Sequence, residues 1–177
     1  MIEIIDEQEV DASLDAGIRE LLCACFPEWG VIFKEHRLWH NTPPIFSVLV
    51  REQGKPVAHI AIVVRTITTT WNWRYNVASI QGVCVSPERR GHRLGREMLD
   101  AALAETRRRG FLYAILFCKE PLVSYYASLG WRLADDSMVM WNNRDLPIAM
   151  RSNCPMYMEL TDTPFPEGPL DIHSPMP

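Results

Sequence analysis

At 177 residues the chain has about the length of one domain, and a composition of 47% hydrophobic and 23% charged residues excludes a disordered, collagen-like or membrane-embedded polypeptide. A net charge of -4 and a pI near 5.7 argue against nucleic acid or an anionic membrane as a partner gathered by overall basicity. The longest near-continuous apolar run, 111–118, is far shorter than the ~20 residues of a spanning helix. The acidic N-terminus lacks the basic and apolar regions of a secretory signal, so a cytoplasmic location is expected.

In chain order, "MIEIID" (1–6) alternates like a short strand. "DASLDAGIRELLCACF" then sets Leu14, Ile18, Leu21, Leu22 and Cys25 on one helical stripe, which Pro27 ends. "FKEHRLWHNTPP" (33–44) offers a short second helix before the double proline imposes extended chain. Residues 45–85 are rich in β-branched and aromatic side chains and carry a turn at Gln53-Gly54-Lys55, predicting a meander of three strands. "LGREMLDAALAETRRRG" (94–110) is helical: Leu94, Met98 and Ala102 recur with Leu99 and Leu103, Glu105 and Arg109 form an i,i+4 pair, and Gly110 terminates. A buried strand "FLYAILFC", a helix "PLVSYYASL" bounded by Pro121 and Gly130, and strands in "WRLAD" and "CPMYMEL" follow. From Thr161, five prolines in seventeen residues predict irregular chain lying over the surface or partly disordered. With no repeat and no Gly/Ser linker, the expected organisation is one domain over 1–160 and a proline-rich tail over 161–177.

Chemistry concentrates in one place. Seven of the fifteen arginines lie between 89 and 109, where strand passes through a turn into helix. The first amides of a helix have no intrahelical partner and carry partial positive charge, so they accept phosphate oxygens. Arg89, Arg90, Arg93 and Arg96 add bidentate positive charge. A hydrogen bond to a charged group contributes roughly 1.5 to 3 kcal/mol, against roughly 0.3 to 1 for a charge at a helix end. Several amides together therefore outweigh the dipole, and a local anionic ligand fits better than a polyanion. Neither G-x-x-x-x-G-K-[ST] nor G-x-G-x-x-G occurs, which takes most of the support from the nucleotide-fold readings.

What fills the frame is "RGHRLG", Arg90 to Gly95, which resembles the R/Q-x-x-G-x-G/A signature of the GNAT superfamily of N-acetyltransferases. Further on, "YYASLGW" is similar to that family's Tyr-x-x-x-Gly-aromatic helix ending, through Tyr126, Gly130 and Trp131. The resemblance covers about residues 2–160. Arg93 departs from the superfamily, which usually has glycine there; the amides survive the change if the local backbone is helical, but close approach of the chain to a pyrophosphate becomes harder. The same departure is typical of the aminoglycoside 2'-N-acetyltransferases, which "IQGVCVSPERRGHRL" resembles. A weaker likeness runs to nodulation-type N-acyltransferases through "VAHIAIVVR" and "MRSNCPMYMEL".

The resemblance implies an α/β fold with a mixed, largely antiparallel sheet of six to seven strands, splayed at strand four and flanked by helices on both faces. It implies acetyl-CoA as co-substrate, held by Val83, Cys84, Val85, Arg90, Gly91, His92, Arg93, Leu94, Gly95 and Arg96, with no metal. A backbone amide within Val83 to Val85 would polarise the thioester carbonyl, and Tyr126 would give a proton to the leaving thiolate. Gln81 stands where relatives often carry a carboxylate; it cannot act as a base but can hold a water. Glu35, His36, His59 and the Asp135-Asp136 pair are the other base candidates.

Several residues have plainer readings beside these. The five cysteines, Cys23, Cys25, Cys84, Cys118 and Cys154, fit no disulfide framework or zinc pattern and read as buried or incidental thiols. Cys84, without an evident histidine partner, reads as a small core residue rather than an acyl-carrying nucleophile. His36 and His40 share a helix face but have no third ligand, so no metal site is predicted. Trp29, Trp39, Trp71 and Trp73 serve either an acceptor cleft or packing. The leading function is acetyl-CoA-dependent acetylation of a small-molecule amine, an amino sugar or aminoglycoside first. A non-catalytic acyl-CoA-binding module, a longer acyl donor, a protein amine and a homodimer paired through strand edges remain open.

Overall fold

The computed structural model of the chain describes residues 1–38, 42–134, 140–141 and 154–173. Trp39, His40, Asp135, Asp136 and residues 150–153 of the nodulation-type likeness lie outside them. Among the described residues nine strands join one sheet. Its continuous path runs β1 (Ile2–Asp6), β2 (Phe46–Glu52), β3 (Lys55–Thr69), β4 (Arg74–Val85), β5 (Tyr113–Cys118), β8 (Cys154–Glu159), β6 (Arg132–Leu133). Off that path, β7 (Met140–Trp141) pairs with β9 (Leu170–His173), which pairs with β3. The pairings β1–β2, β2–β3, β3–β9, β5–β8 and β6–β8 are antiparallel, whereas β4–β5 and β7–β9 are parallel. Helices α1 (Ala12–Cys25), α2 (Gly30–Phe33), α3 (Leu94–Arg108) and α4 (Val123–Ala127) flank the sheet. The seven strands of the main path match the expected mixed sheet. Its β4–β5 pairing is confined to Ala78 and Ser79 against Ala114 and Ile115, although β4 continues to Val85, which accords with a splay at strand four.

The chain forms two compact units, one from Met1–Val63 and Ile80–Glu105, the other from Val64–Ser79 and Thr106–Met176. In the first, the Asp11 carboxylate accepts from the Leu14 amide at 2.8 Å and opens α1. The predicted stripe is the buried face: Ile18, Leu21 and Leu22 pack with Phe33, Leu49 and Cys84, and Leu14 and Cys25 lie against that cluster. Pro27 ends α1 as expected, yet it also begins a 3-10 turn that leads directly into α2 at Gly30–Phe33. The second helix therefore precedes the predicted 33–44 segment. A proline's fixed φ suits a first helical position as well as it breaks an interior one. Beyond α2 the chain is held by Arg37, which pairs with Glu7 and, at 2.6 Å, with Asp15.

In the second unit the tail differs from the sequence expectation. Phe165, Leu170 and Ile172 are buried with Ile67, Val77, Tyr113 and Ile115. The Phe165 ring stacks on Tyr157 at 4.3 Å and meets Tyr113 edge-on at 5.1 Å. The Tyr113 hydroxyl donates to the Pro164 carbonyl at 2.8 Å. Prolines lack only a donor, so Pro164, Pro166 and Pro169 bring the chain to the sheet and leave β9 to pair with Thr66–Thr69. Phe165→Ala is expected to cost about 3–5 kcal/mol, the range for emptying a buried aromatic site, as a lowered urea midpoint. A tail merely lying on the surface would shift stability by no more than about 0.5 kcal/mol.

Candidate active site

β4 ends at Val85 and the chain passes through a 3-10 turn, Pro87–Arg89, into the arginine loop. Gly91 has φ +86° with nothing within 4 Å of a would-be Cβ, so its role is conformational rather than steric. Arg93 adopts φ +60°, a left-handed backbone rather than a right-handed helical one. The position where the related family usually has glycine is thus one that favours glycine, and a side chain there costs roughly 1–2 kcal/mol. The Arg93 carbonyl accepts from the Arg96 and Glu97 amides at 2.9 and 3.1 Å, starting α3. The Leu94 and Gly95 amides stand at the open helix end without a backbone partner among the described residues.

The arginines divide by task. Arg89 pairs with Glu52, and Arg90 Nε donates to the Val85 carbonyl at 3.1 Å. Arg93 and Arg96 have no ion-pair partner among the described residues and are exposed, as are Gly91 and His92. Two guanidinium groups are therefore left for an anion at the helix end, while two others brace the turn.

Along β4, Gln81, Val83 and Val85 are half-buried, and Gly82 and Cys84 are buried. Gly82 takes φ +58° in mid-strand, and a Cβ there would lie 3.3 Å from the His59 ring and 3.5 Å from Leu22 Cδ2. A left-handed residue inside a strand turns the following peptide units out of the regular pleat. His59 Nδ1 lies 3.2 Å from the Gly82 carbonyl; the carbonyl only accepts, so Nδ1 carries the hydrogen and Nε2 keeps its lone pair, buried and without a partner among the described residues. Burial pushes the imidazole down to about 4, opposed by the Gly82 contact and aided by Arg37, so it is neutral at pH 7. Of the other described base candidates, Glu35 and His36 are exposed just beyond α2.

Cys84 sits in the core cluster, as its strand position suggested. Cys25 packs against the same cluster, and its thiol and Arg90 Nε both donate to the Val85 carbonyl, at 3.5 and 3.1 Å. Sequence reasoning missed this contact because 59 positions separate the two cysteines and only the packing of α1 on β4 joins them. The His59–Gly82 pair was missed too, although a glycine inside the strand-like "SIQGVCV" was a readable signal of irregular backbone.

In the second unit, Tyr126 lies in α4 and is 6% exposed. Its ring meets Tyr125 and Trp131 edge-on at 5.2 and 6.2 Å, and its carbonyl accepts from the Trp131 amide at 3.2 Å. Burial, with smaller contributions from Tyr125 and Cys118, pushes the phenol well above its ordinary value, so it remains protonated at neutral pH. No hydrogen bond engages its hydroxyl among the described residues. Trp71 and Trp73 are exposed in the β3–β4 turn and Trp29 in the turn after α1. Among the described residues no group of His, Cys, Asp and Glu is placed to hold a metal, and no helix is long and apolar enough to cross a membrane.

A mixed sheet whose fourth strand leads through a left-handed arginine turn into an open helix end defines the α/β architecture of the chain. Residues 16–131 match the Acetyltransferase (GNAT) family, and the chain belongs to that family. Among solved structures, it is similar to a GNAT family N-acetyltransferase (YhbS) from Escherichia coli in complex with CoA: TM-score 0.66, 14% identity, 98% of this chain and 89% of that one. It is also similar to an aminoglycoside 6'-N-acetyltransferase complexed with coenzyme A, at TM-score 0.66 and 16% identity over 93% of this chain and 99% of that one. A GNAT acetyltransferase from Brucella melitensis in complex with acetyl-CoA gives TM-score 0.61 and 16% identity over 96% and 94% of the two chains. No curated protein matches the sequence.

Two stability measurements check this geometry. Arg93→Gly is expected to raise the urea midpoint, by up to about 1 kcal/mol, because relief of the left-handed side chain exceeds the added entropy of the unfolded chain. His59 has a folded-state value of about 4 against an ordinary 6.5, so its contribution is complete above pH 6.5 and is lost as pH falls towards 4. That loss should amount to about 3 kcal/mol, seen as a steeper fall in urea stability between those pH values for the wild type than for His59→Gln.

Proposed function

We propose that the protein transfers the acetyl group of acetyl-CoA directly to the amine of a small molecule, with an amino sugar or aminoglycoside as the first acceptor to try. The observation that carries this reading is the open end of α3, with its Leu94 and Gly95 amides and with Arg93 and Arg96 exposed and unengaged among the described residues, which suits a pyrophosphate. The relatives crystallised with CoA or acetyl-CoA, one of them an aminoglycoside 6'-N-acetyltransferase, support the substrate class. A cytoplasmic location goes with that donor.

In this reaction the amine nitrogen attacks the thioester carbon, the C–N bond forms, the C–S bond breaks, and the electron pair leaves on the CoA sulfur. A backbone amide among Val83, Cys84 and Val85, turned out of the pleat after Gly82, stabilises the negative oxygen. Tyr126 supplies the proton to the departing thiolate, and its raised value keeps that proton in place until then. The amine attacks in its neutral form, its first proton already lost to solvent, and a water held by Gln81, half-buried on β4, passes to solvent the proton that the nitrogen sheds as the amide forms.

Thiol release from acetyl-CoA over a panel of amines, including aminoglycosides with and without a 2'-amino group, tests the proposal beside a direct acetyl-CoA titration. Tyr126→Phe is expected to lower kcat by about 10²–10⁴ while leaving acetyl-CoA affinity unchanged. Saturable binding without turnover on any amine would favour the non-catalytic acyl-CoA-binding reading, and a failure to bind acetyl-CoA would remove both.

A further inference from the structure

Cys25, the last residue of α1, is half-buried and donates from its thiol to the Val85 carbonyl at 3.5 Å. Arg90 Nε donates to the same oxygen at 3.1 Å. Cys84, one residue earlier on β4 and buried, belongs to the core cluster against which Cys25 packs. Two thiols and a guanidinium thus meet at the end of one strand, within the first compact unit.

Their surroundings make the pair unequal. The Cys84 hydrogen bond, opposed by burial and reinforced by Arg90, brings Cys25 down to about 7. The same contact, with burial, drives Cys84 well above its ordinary value. An accessible thiolate supported by an arginine, next to an enclosed second thiol, is the arrangement in which oxidation becomes site-selective.

We propose that Cys25 and Cys84 form a redox-active thiol pair, in which a peroxide oxidises Cys25 and Cys84 then closes a disulfide joining the end of α1 to β4 beside Arg90. The Cys25 thiolate attacks hydrogen peroxide, forming an S–O bond and breaking the O–O bond, with hydroxide leaving and taking up a proton. The Cys84 sulfur then attacks the Cys25 sulfenic acid, the S–S bond forms, and the hydroxyl departs as water with the Cys84 proton. Two thiols lose two electrons in all, and one peroxide becomes two waters. Closure takes the thiolate charge away from beside Arg90, whose Nε donates to the Val85 carbonyl.

The pair is read without reference to acetyl transfer, so its test stands apart from the proposed activity. The full chain is treated with hydrogen peroxide, its free thiols are alkylated, and its peptides are weighed. The expected product links the Cys25 and Cys84 peptides at a mass two hydrogens below their sum, reverts with dithiothreitol, and is absent from Cys25→Ser. In parallel, iodoacetamide labelling of the reduced protein across pH should be half-maximal at Cys25 near pH 7. At that pH Cys25 should outpace Cys23, half-buried on the same helix, by about tenfold. Cys84 remaining fully alkylatable after peroxide, or Cys25 labelling no faster than Cys23, would overturn the proposal. Peptide mapping of the wild type decides the matter even where Cys84→Ala does not fold.

Discussion

The hydrogen bond between His59 and the Gly82 carbonyl governs the middle of β4, and the candidate chemistry depends on what β4 does there. Only glycine accepts both the left-handed backbone at that point and an imidazole 3.3 Å from where a Cβ would be. The ring in turn must be neutral, because it is fully enclosed and lies within reach of the Arg37 charge. One neutral ring therefore shapes the strand segment that runs through Val83 and Cys84 to the Arg90 anchor. Protonating it would place an uncompensated charge in the core of the first unit.

The arginine turn shows a different balance between stability and use. Arg89 and Arg90 brace it through Glu52 and the Val85 carbonyl, which leaves Arg93 and Arg96 to face solvent. Keeping an arginine at a left-handed position costs conformational energy that a glycine would avoid. The gain is a fixed positive charge at the start of α3, next to its unpartnered amides. The local strain stays tolerable because the rest of α3 buries Met98, Leu99, Ala102 and Leu103.

Much of this architecture was legible in the sequence because it is encoded locally. The stripe from Leu14 to Cys25, the turn at Gln53-Gly54-Lys55 and the helix from Leu94 follow from periodicity and punctuation within a few residues. Arg90 to Gly95 were readable as a turn leading into a helix for the same reason. What could not be read depends on partners far away in the chain. Prolines made the tail look irregular, whereas the apolar residues between them, Phe165, Leu170 and Ile172, belong to a core begun a hundred residues earlier. Pro27 signalled the end of α1 without disclosing that it also begins the next turn. The meeting of Cys25 with Cys84, and of His59 with Gly82, exists only once the sheet order and the docking of α1 are known.

The burial of that late segment bears on how the protein is made. Ile67 and Val77 leave the ribosome long before Leu170 and Ile172, which share a core with them. During synthesis, the sheet face that β9 will cover stays open until residues 165–172 have emerged, and until then the nascent chain presents bare β3 edge and apolar side chains. Completion of the second unit is thus a late step built on contacts of high sequence separation, which form slowly. Its speed, and the protection the nascent chain needs meanwhile, are set by the few residues around Phe165.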